Sequence, residues 1–167
     1  MVSVPAFTRA ELFGILDEVK DPEVPVLSVV ELGIVRDARV DEGGVTITIT
    51  PTYSGCPAMH TIEQDIRAAL AARGVSKVQI ETVHAPAWTT AWIQPAAREK
   101  LRAFGIAPPG PVEQGGLITL TRRRAAVACP YCGSAHTELR SEFGSTACKA
   151  IHYCRACQQP FDEFKPL

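Results

Sequence analysis

Apolar residues Leu12, Ile15, Leu16 and Val19 recur at helical spacing behind Thr8-Arg9-Ala10-Glu11, a capping-box sequence, and predict a helix of about three turns. It must end before Asp21-Pro22-Glu23-Val24-Pro25, because each proline drives its predecessor out of the helical region; the stretch predicts an acidic loop. Ile34 to Val40 and Val45 to Thr50 are β-rich runs joined by Asp41-Glu42-Gly43-Gly44, a hairpin signal. In the second run Val45, Ile47 and Ile49 alternate with Thr46, Thr48 and Thr50, an apolar face opposite a hydroxyl face. Beyond Pro51-Thr52-Tyr53-Ser54-Gly55-Cys56-Pro57, the residues Ala58, Ile62, Ile66, Ala69 and Leu70 form a helical stripe closed by Gly74, with Pro57 at the first helical position and Cys56 as N-cap. A third strand follows over Val78 to Val83. The order β-β-α-β predicts an α+β domain in which helices cover one face of a small sheet.

Trp88 and Trp92 stand four apart in an irregular segment; they suit either an aromatic contact surface or, more commonly, packing over a sheet edge. A short helix is predicted from Pro95 to Phe104, stopped by Gly105. Ala107-Pro108-Pro109-Gly110-Pro111, with Gly115-Gly116 soon after, sustains neither helix nor central strand and reads as a linker. The chain therefore divides into an α+β domain over 1–106, a linker with a first ribbon strand over 107–124, and a cysteine-rich module over 125–167.

Composition narrows the class. With 167 residues, 46% hydrophobic, and 17 Lys+Arg against 18 Asp+Glu, the chain is globular and carries no charge excess that would draw nucleic acid. Arg122-Arg123-Arg124 is a weak basic patch in a chain of net charge −1, and suits a solvated strand end or a grip on an acidic partner. No apolar run approaches the roughly 20 residues of a membrane span. Met1 to Phe7 lacks the basic and apolar regions of a signal peptide, so a cytoplasmic location is expected.

In a reducing compartment, six cysteines imply metal binding or thiol chemistry. Cys129-Pro130-Tyr131-Cys132 and Cys154-Arg155-Ala156-Cys157 are two Cys-x2-Cys knuckles separated by residues 133–153. Each knuckle turns two thiolates toward one ion, and two knuckles close a tetrahedral shell. A module this small needs such a staple to fold. A zinc ribbon is the expectation; an iron–sulfur cluster is the alternative, since four thiolates serve iron equally well. Cys148 reads as a small buried hydrophobe, with exchange for a knuckle ligand as the sharper alternative. His136 and His152 read as surface or packing residues.

Cys56 stands alone, where strand and turn deliver the chain to a helix amino terminus. Unpaired N–H groups and the helix dipole there favour a thiolate, so a lowered thiol pKa and a nucleophilic or metal-ligating role are expected; simple capping explains the position equally well. Thr50, Thr52, Tyr53 and Ser54 supply hydroxyls nearby, and the Asp21 loop brings carboxylates. His60, one helical turn on, reads as an exposed helix residue, and no base completes a catalytic pair.

Asp21-Pro22-Glu23-Val24-Pro25, Glu31-Leu32-Gly33-Ile34-Val35, Thr50-Pro51-Thr52-Tyr53-Ser54-Gly55-Cys56-Pro57-Ala58 and Trp88-Thr89-Thr90-Ala91-Trp92-Ile93 resemble the iron–sulfur assembly domain family that includes bacterial SufT proteins and eukaryotic cytosolic cluster-targeting factors. With the ribbon and Phe143-Gly144-Ser145-Thr146-Ala147-Cys148-Lys149, the chain resembles the PaaD-like accessory proteins of bacterial phenylacetyl-CoA epoxidase systems. The resemblance implies an iron–sulfur assembly-type α+β domain followed by a small four-cysteine zinc ribbon. It also implies an accessory role in phenylacetate catabolism, an aromatic compound degradation, rather than catalysis. The implied work is maturation of an iron–sulfur (or di-iron) site, with the iron–sulfur flavoprotein reductase of the epoxidase as client. Cys56 matches the family's reactive cysteine, and Asp21, Glu23, Thr50 and Thr52 match its motif; the metal set is Cys129, Cys132, Cys154 and Cys157. Because four ligands are the norm for a cluster, a transient cluster at Cys56 would need a second chain in a homodimer or a cysteine of the target. The alternative is a non-catalytic structural subunit bound to the oxygenase; a Cys56 thiol enzyme ranks last.

Overall fold

The computed structural model describes residues 7–41, 44–111 and 126–167. Backbone contacts gather residues 1–88 and 92–94 into one compact unit, and residues 89–91 and 95–167 into a second.

In the first unit Thr8 forms the expected capping box. Its Oγ1 accepts the Glu11 N–H at 3.2 Å while Glu11 Oε2 accepts the Thr8 N–H at 2.7 Å. Helix α1 (Arg9–Leu16) is shorter than the apolar spacing predicts, because the chain turns at Asp17; Val19 still reaches the core, 5% exposed. Strands β1 (Val35–Asp41) and β2 (Gly44–Ile49) pair antiparallel, and β3 (Val78–Thr82) joins β2 in parallel, giving the order β1-β2-β3. Glu42 and Gly43 of the hairpin connection lie outside the described residues. Between β2 and β3 runs α2 (Ala58–Ala71), which buries Ala58, Ile62, Ile66 and Leu70. Helix α1 lies against β1 and α2, and α2 against β3, so the helices cover the sheet as the β-β-α-β order implies. The hydroxyl face of β2 is largely covered: as the central strand it buries Thr46 and half-buries Thr48, Thr50 is buried just past its end, and Thr46 Oγ1 donates to Asp41 Oδ2 at 2.7 Å.

Trp88 and Trp92 pack rather than project in this unit. Trp88 is 5% exposed and donates its indole N–H to the Leu32 carbonyl at 3.0 Å, while Trp92 lies half-buried under the Arg36 guanidinium, 3.5 Å from the ring centre.

The second unit contains α3 (Pro95–Ala103) and a four-stranded sheet, β4-β7-β6-β5, built from β4 (Ile106–Ala107), β5 (Thr137–Ser141), β6 (Lys149–Cys154) and β7 (Pro160–Phe164). Ile106 and Ala107, assigned by sequence to the domain end and the linker start, pair in parallel with Asp162 and Glu163 of β7. Residues 112–125, including Gly115-Gly116 and Arg122-Arg123-Arg124, lie outside the described residues. Among the described residues no helix is long and apolar enough to cross a membrane.

Candidate functional site

The Cys56 thiol is set by two loops. In the first, Asp21 Oδ1 accepts the N–H groups of Glu23 and Val24, both at 2.8 Å, and the Asp21 N–H donates to the Leu27 carbonyl at 3.0 Å. This side-chain-to-backbone turn is what aspartate ahead of proline favours, and it buries Asp21 to 6% exposure. The loop is closed behind by a reciprocal pair: the Ser28 N–H donates to Glu31 Oε2, and the Glu31 N–H to Ser28 Oγ, each at 3.0 Å. Ser28 also hydrogen-bonds Asp17. The Ser-x-x-Glu spacing of Ser28 and Glu31 is the capping-box signal in the sequence that corresponds to this pair.

The second loop leaves β2 at Thr50, whose N–H donates to the Ile34 carbonyl at 2.8 Å. Tyr53 to Cys56 then forms a turn in which the Cys56 N–H donates to the Tyr53 carbonyl at 3.3 Å. Gly55 holds its third position at φ +80°, the conformation type II turns demand there. Helix α2 starts one residue later than predicted. Pro57, not Cys56, stands at the cap, with no side-chain cap bond; Cys56 still reaches the helix start, because its sulfur accepts the Ala58 N–H.

The expected lowering of the Cys56 pKa does not occur. Half-burial pushes the thiol up; the Ala58 N–H and the Tyr53 hydroxyl oppose this as donors, and the carboxylates of Glu23 and Asp21 reinforce it by charge repulsion. The helix terminus is real, but desolvation and two nearby negative charges outweigh it. Cys56 is therefore a protonated thiol at neutral pH. Thr50 is buried at the strand end and Thr52 is half-buried in the loop. His60 is exposed and hydrogen-bonded to Gln64 at 3.0 Å. Asp21, Glu23 and Cys56 thus come together with Tyr53, which the sequence marks only as one of several nearby hydroxyls.

In the second unit the two knuckles converge as their spacing predicts. The sulfurs of Cys129, Cys132, Cys154 and Cys157 all lie within 4.8 Å of one another, with Cys129 to Cys157 and Cys132 to Cys154 at 3.6 Å. Metal–sulfur bonds of about 2.3 Å in a tetrahedron place ligands about 3.8 Å apart. The donor set therefore fits a four-coordinate metal. Backbone turns orient it: the Cys129 N–H donates to Ser134, the Gly133 N–H to Cys129, and the Cys154 N–H to Gln159, at 2.9 to 3.0 Å. N–H groups of Cys157 and Ala156 hold the Cys154 thiol down, to about 7, whereas burial and the neighbouring sulfurs push Cys157 up to about 12. Four crowded sulfurs cannot all ionise unaided, and a cation resolves the conflict. Cys129 and Cys154 also form the ribbon core with Ala107 and Phe161. Cys148 is buried outside this set, 3.1 Å from Thr146 Oγ1, and His152 pairs with Glu163 at 2.8 Å while stacking on Phe161.

A small α+β domain with a cysteine between strand and helix, joined to a four-cysteine ribbon, is the architecture of an iron–sulfur assembly-type protein with a metal-binding tail. Residues 9–84 match the iron–sulfur cluster assembly protein family, and residues 113–165 match the PaaD zinc beta ribbon domain. An Escherichia coli strain K12 protein that carries the name of a 1,2-phenylacetyl-CoA epoxidase component is 46% identical over 93% of this chain and 91% of its own. The Fe-S protein maturation auxiliary factor YitW of Bacillus subtilis strain 168 is 39% identical over 48% of this chain and 80% of its own. The crystal structure of a domain of unknown function, DUF59, from Bacillus anthracis superposes with a TM-score of 0.52 at 30% identity, covering 56% of this chain and 90% of that one. The chain belongs to the PaaD family, in which an iron–sulfur cluster assembly domain is followed by a PaaD zinc ribbon.

Proposed function

We propose that this protein is a non-catalytic accessory factor of phenylacetate catabolism. It assists iron–sulfur cluster assembly in a phenylacetyl-CoA epoxidase system, its client is the reductase component, and Cys56 is the transient iron or cluster ligand. The observation that carries the reading is the half-buried Cys56 sulfur, held between two donors and two carboxylates inside the segment matched by the cluster assembly family. The names of the relatives support both halves of the reading.

The chemistry follows from the protonation state. A neutral thiol does not bind metal, so loading replaces the Cys56 S–H bond with an S–Fe bond and releases a proton. Positive charge arriving at the sulfur offsets the repulsion from Asp21 and Glu23, which favours the thiolate only when cargo is present. One thiolate is too few to retain a cluster, so the remaining ligands come from a second copy or from the client, and release is easy. Thr50 and Thr52 shape the loop that carries Cys56. The ribbon takes zinc on Cys129, Cys132, Cys154 and Cys157, where the closed four-thiolate set serves structure.

The test is metal, acid-labile sulfide and visible absorption of the anaerobically purified protein and of Cys56→Ala, alongside complementation of epoxidase activity in cells. Zinc in both, iron and sulfide in the wild type alone, and loss of activation in the variant are expected. Full activation by Cys56→Ala overturns the carrier role and moves the protein to a structural subunit of the oxygenase.

A further inference from the structure

We propose that Cys132 is a thiol modification site, the ligand at which low-molecular-weight disulfides open the metal centre of the ribbon. The proposal rests on the reading of the four cysteines as a zinc site. The two knuckles are held differently. On the second, Cys154 is fully buried and Cys157 half-buried, and the residue between them that follows Cys154 is anchored twice. The Arg155 N–H donates to the His136 carbonyl at 2.9 Å, and its guanidinium closes on Glu138 Oε2, with Nε at 2.9 Å and Nη2 at 2.5 Å. The other oxygen of Glu138 takes Arg140 at 2.6 Å, so the carboxylate ties the knuckle to β5 with both oxygens engaged. On the first knuckle Cys129 is 2% exposed, but the chain then comes to the surface, where Tyr131 is 58% exposed and Cys132 is exposed. Gly133 follows at φ +74°, and nothing beyond its chain neighbours lies within 4 Å of where its Cβ would be, so the approach past Cys132 is open on that side. Of the four ligands, three are buried or half-buried and one is exposed.

A metal-bound thiolate remains a nucleophile, and its exchange with a disulfide depends on access as well as ionisation. The Cys132 sulfur attacks one sulfur of the small disulfide. The S–S bond of the reagent breaks, a new S–S bond forms to Cys132, and the departing thiolate takes a proton from water. Cys132 is oxidised and half of the reagent is reduced. Three cysteines are then left to hold the ion, with one position open to a competing chelator. Because metal binding in so small a module is coupled to folding, disulfide stress thereby unfastens the ribbon.

The experiment treats the zinc-loaded full chain with limiting dithiodipyridine, a small aromatic disulfide, in the presence of a chromophoric zinc chelator. Zinc release is followed by absorbance, and each cysteine is resolved by peptide mass, so that reaction at Cys56 and Cys148 is scored separately. Among the four ligands, Cys132 is expected to react at least about tenfold ahead of Cys129, Cys154 and Cys157, with zinc released one for one as it does so. Modification spread evenly over the four ligands, or zinc release that runs ahead of reaction at Cys132, overturns the proposal. Cys132→His keeps a zinc-binding donor without a thiol, and is expected to retain its zinc at the same dose. Release as fast as in the wild type overturns the proposal; should the variant fail to fold or to load, the wild-type map decides. A chain that binds no zinc overturns the zinc reading and the proposal together. Zinc that is bound, and then lost without reaction at Cys132, overturns the proposal and leaves the zinc reading in place.

Discussion

A thiol at the mouth of a helix is ordinarily a candidate for easy ionisation, yet Cys56 is held neutral by the company it keeps. Its raised pKa has a definite sign in linkage: keeping the thiol protonated favours the folded state below the ordinary thiol value, and that contribution is lost as pH rises through the folded value. Asp21→Asn removes one repelling charge while retaining the oxygen that accepts the Glu23 and Val24 N–H groups. Alkylation of Cys56 at pH 8 is therefore expected to quicken severalfold with little change in the urea midpoint. Asp21→Ala strips the shared acceptor of two N–H groups from a buried turn and is expected to cost about 1–3 kcal/mol, read as a lower urea midpoint. Asp21, Glu23 and Cys56 are legible as motif residues through the family resemblance, and prolines and a glycine mark the loops that carry them. Tyr53 is legible only as one of several hydroxyls in that motif, because which of them bears on the sulfur depends on how the loop folds. The pKa direction was unreadable for a related reason: the dipole argument needs only local sequence, whereas burial and the Asp21 loop are tertiary facts.

Elements with strong periodicity are legible in the sequence, and short or non-local ones are not. Helix α2 follows from its stripe, and Ile62, Ile66 and Leu70 are each fully buried. Ile66→Ala is expected to lower stability by about 2–5 kcal/mol through a cavity beneath the helix, measured by thermal or urea unfolding. Strand β4 is not legible in the sequence, because two residues ahead of a proline-rich run carry no periodicity and their partners in β7 lie far along the chain. Its reality has a local test at Gly105, just before it. That residue holds φ +88°, and a Cβ there would lie 2.8 Å from the Tyr131 hydroxyl. Gly105→Ala combines backbone strain with displacement of a knuckle tyrosine. The cost is expected to be about 1–3 kcal/mol, again read from unfolding, with weaker metal retention under competition by a chromophoric chelator.

At the scale of the whole chain, composition and backbone contacts divide the protein differently. Proline and glycine content places a boundary after residue 106, whereas contacts gather α3, β4 and the ribbon into one unit. We propose the second division, and metal removal tests it. In the second unit Cys129 and Cys154 of the four-cysteine set are themselves buried in a small cluster with Ala107 and Phe161, so the ribbon strands depend on the metal for part of their packing. The core of the first unit is apolar, built on Leu12, Leu16, Ile47, Ile49, Ile62, Ile66 and Leu70. Stripping the metal with a thiol-reactive mercurial and a chelator is therefore expected to abolish amide-exchange protection in β5, β6 and β7, and to leave β1, β2, β3 and α2 protected. The deciding signal is α3. If Pro95–Ala103 and Ile106–Ala107 lose protection together with the ribbon, the metal holds a module that begins well before its first cysteine. If α3 keeps the protection of α2, the boundary belongs after residue 106, and β4 is an attachment to the ribbon sheet rather than part of its fold.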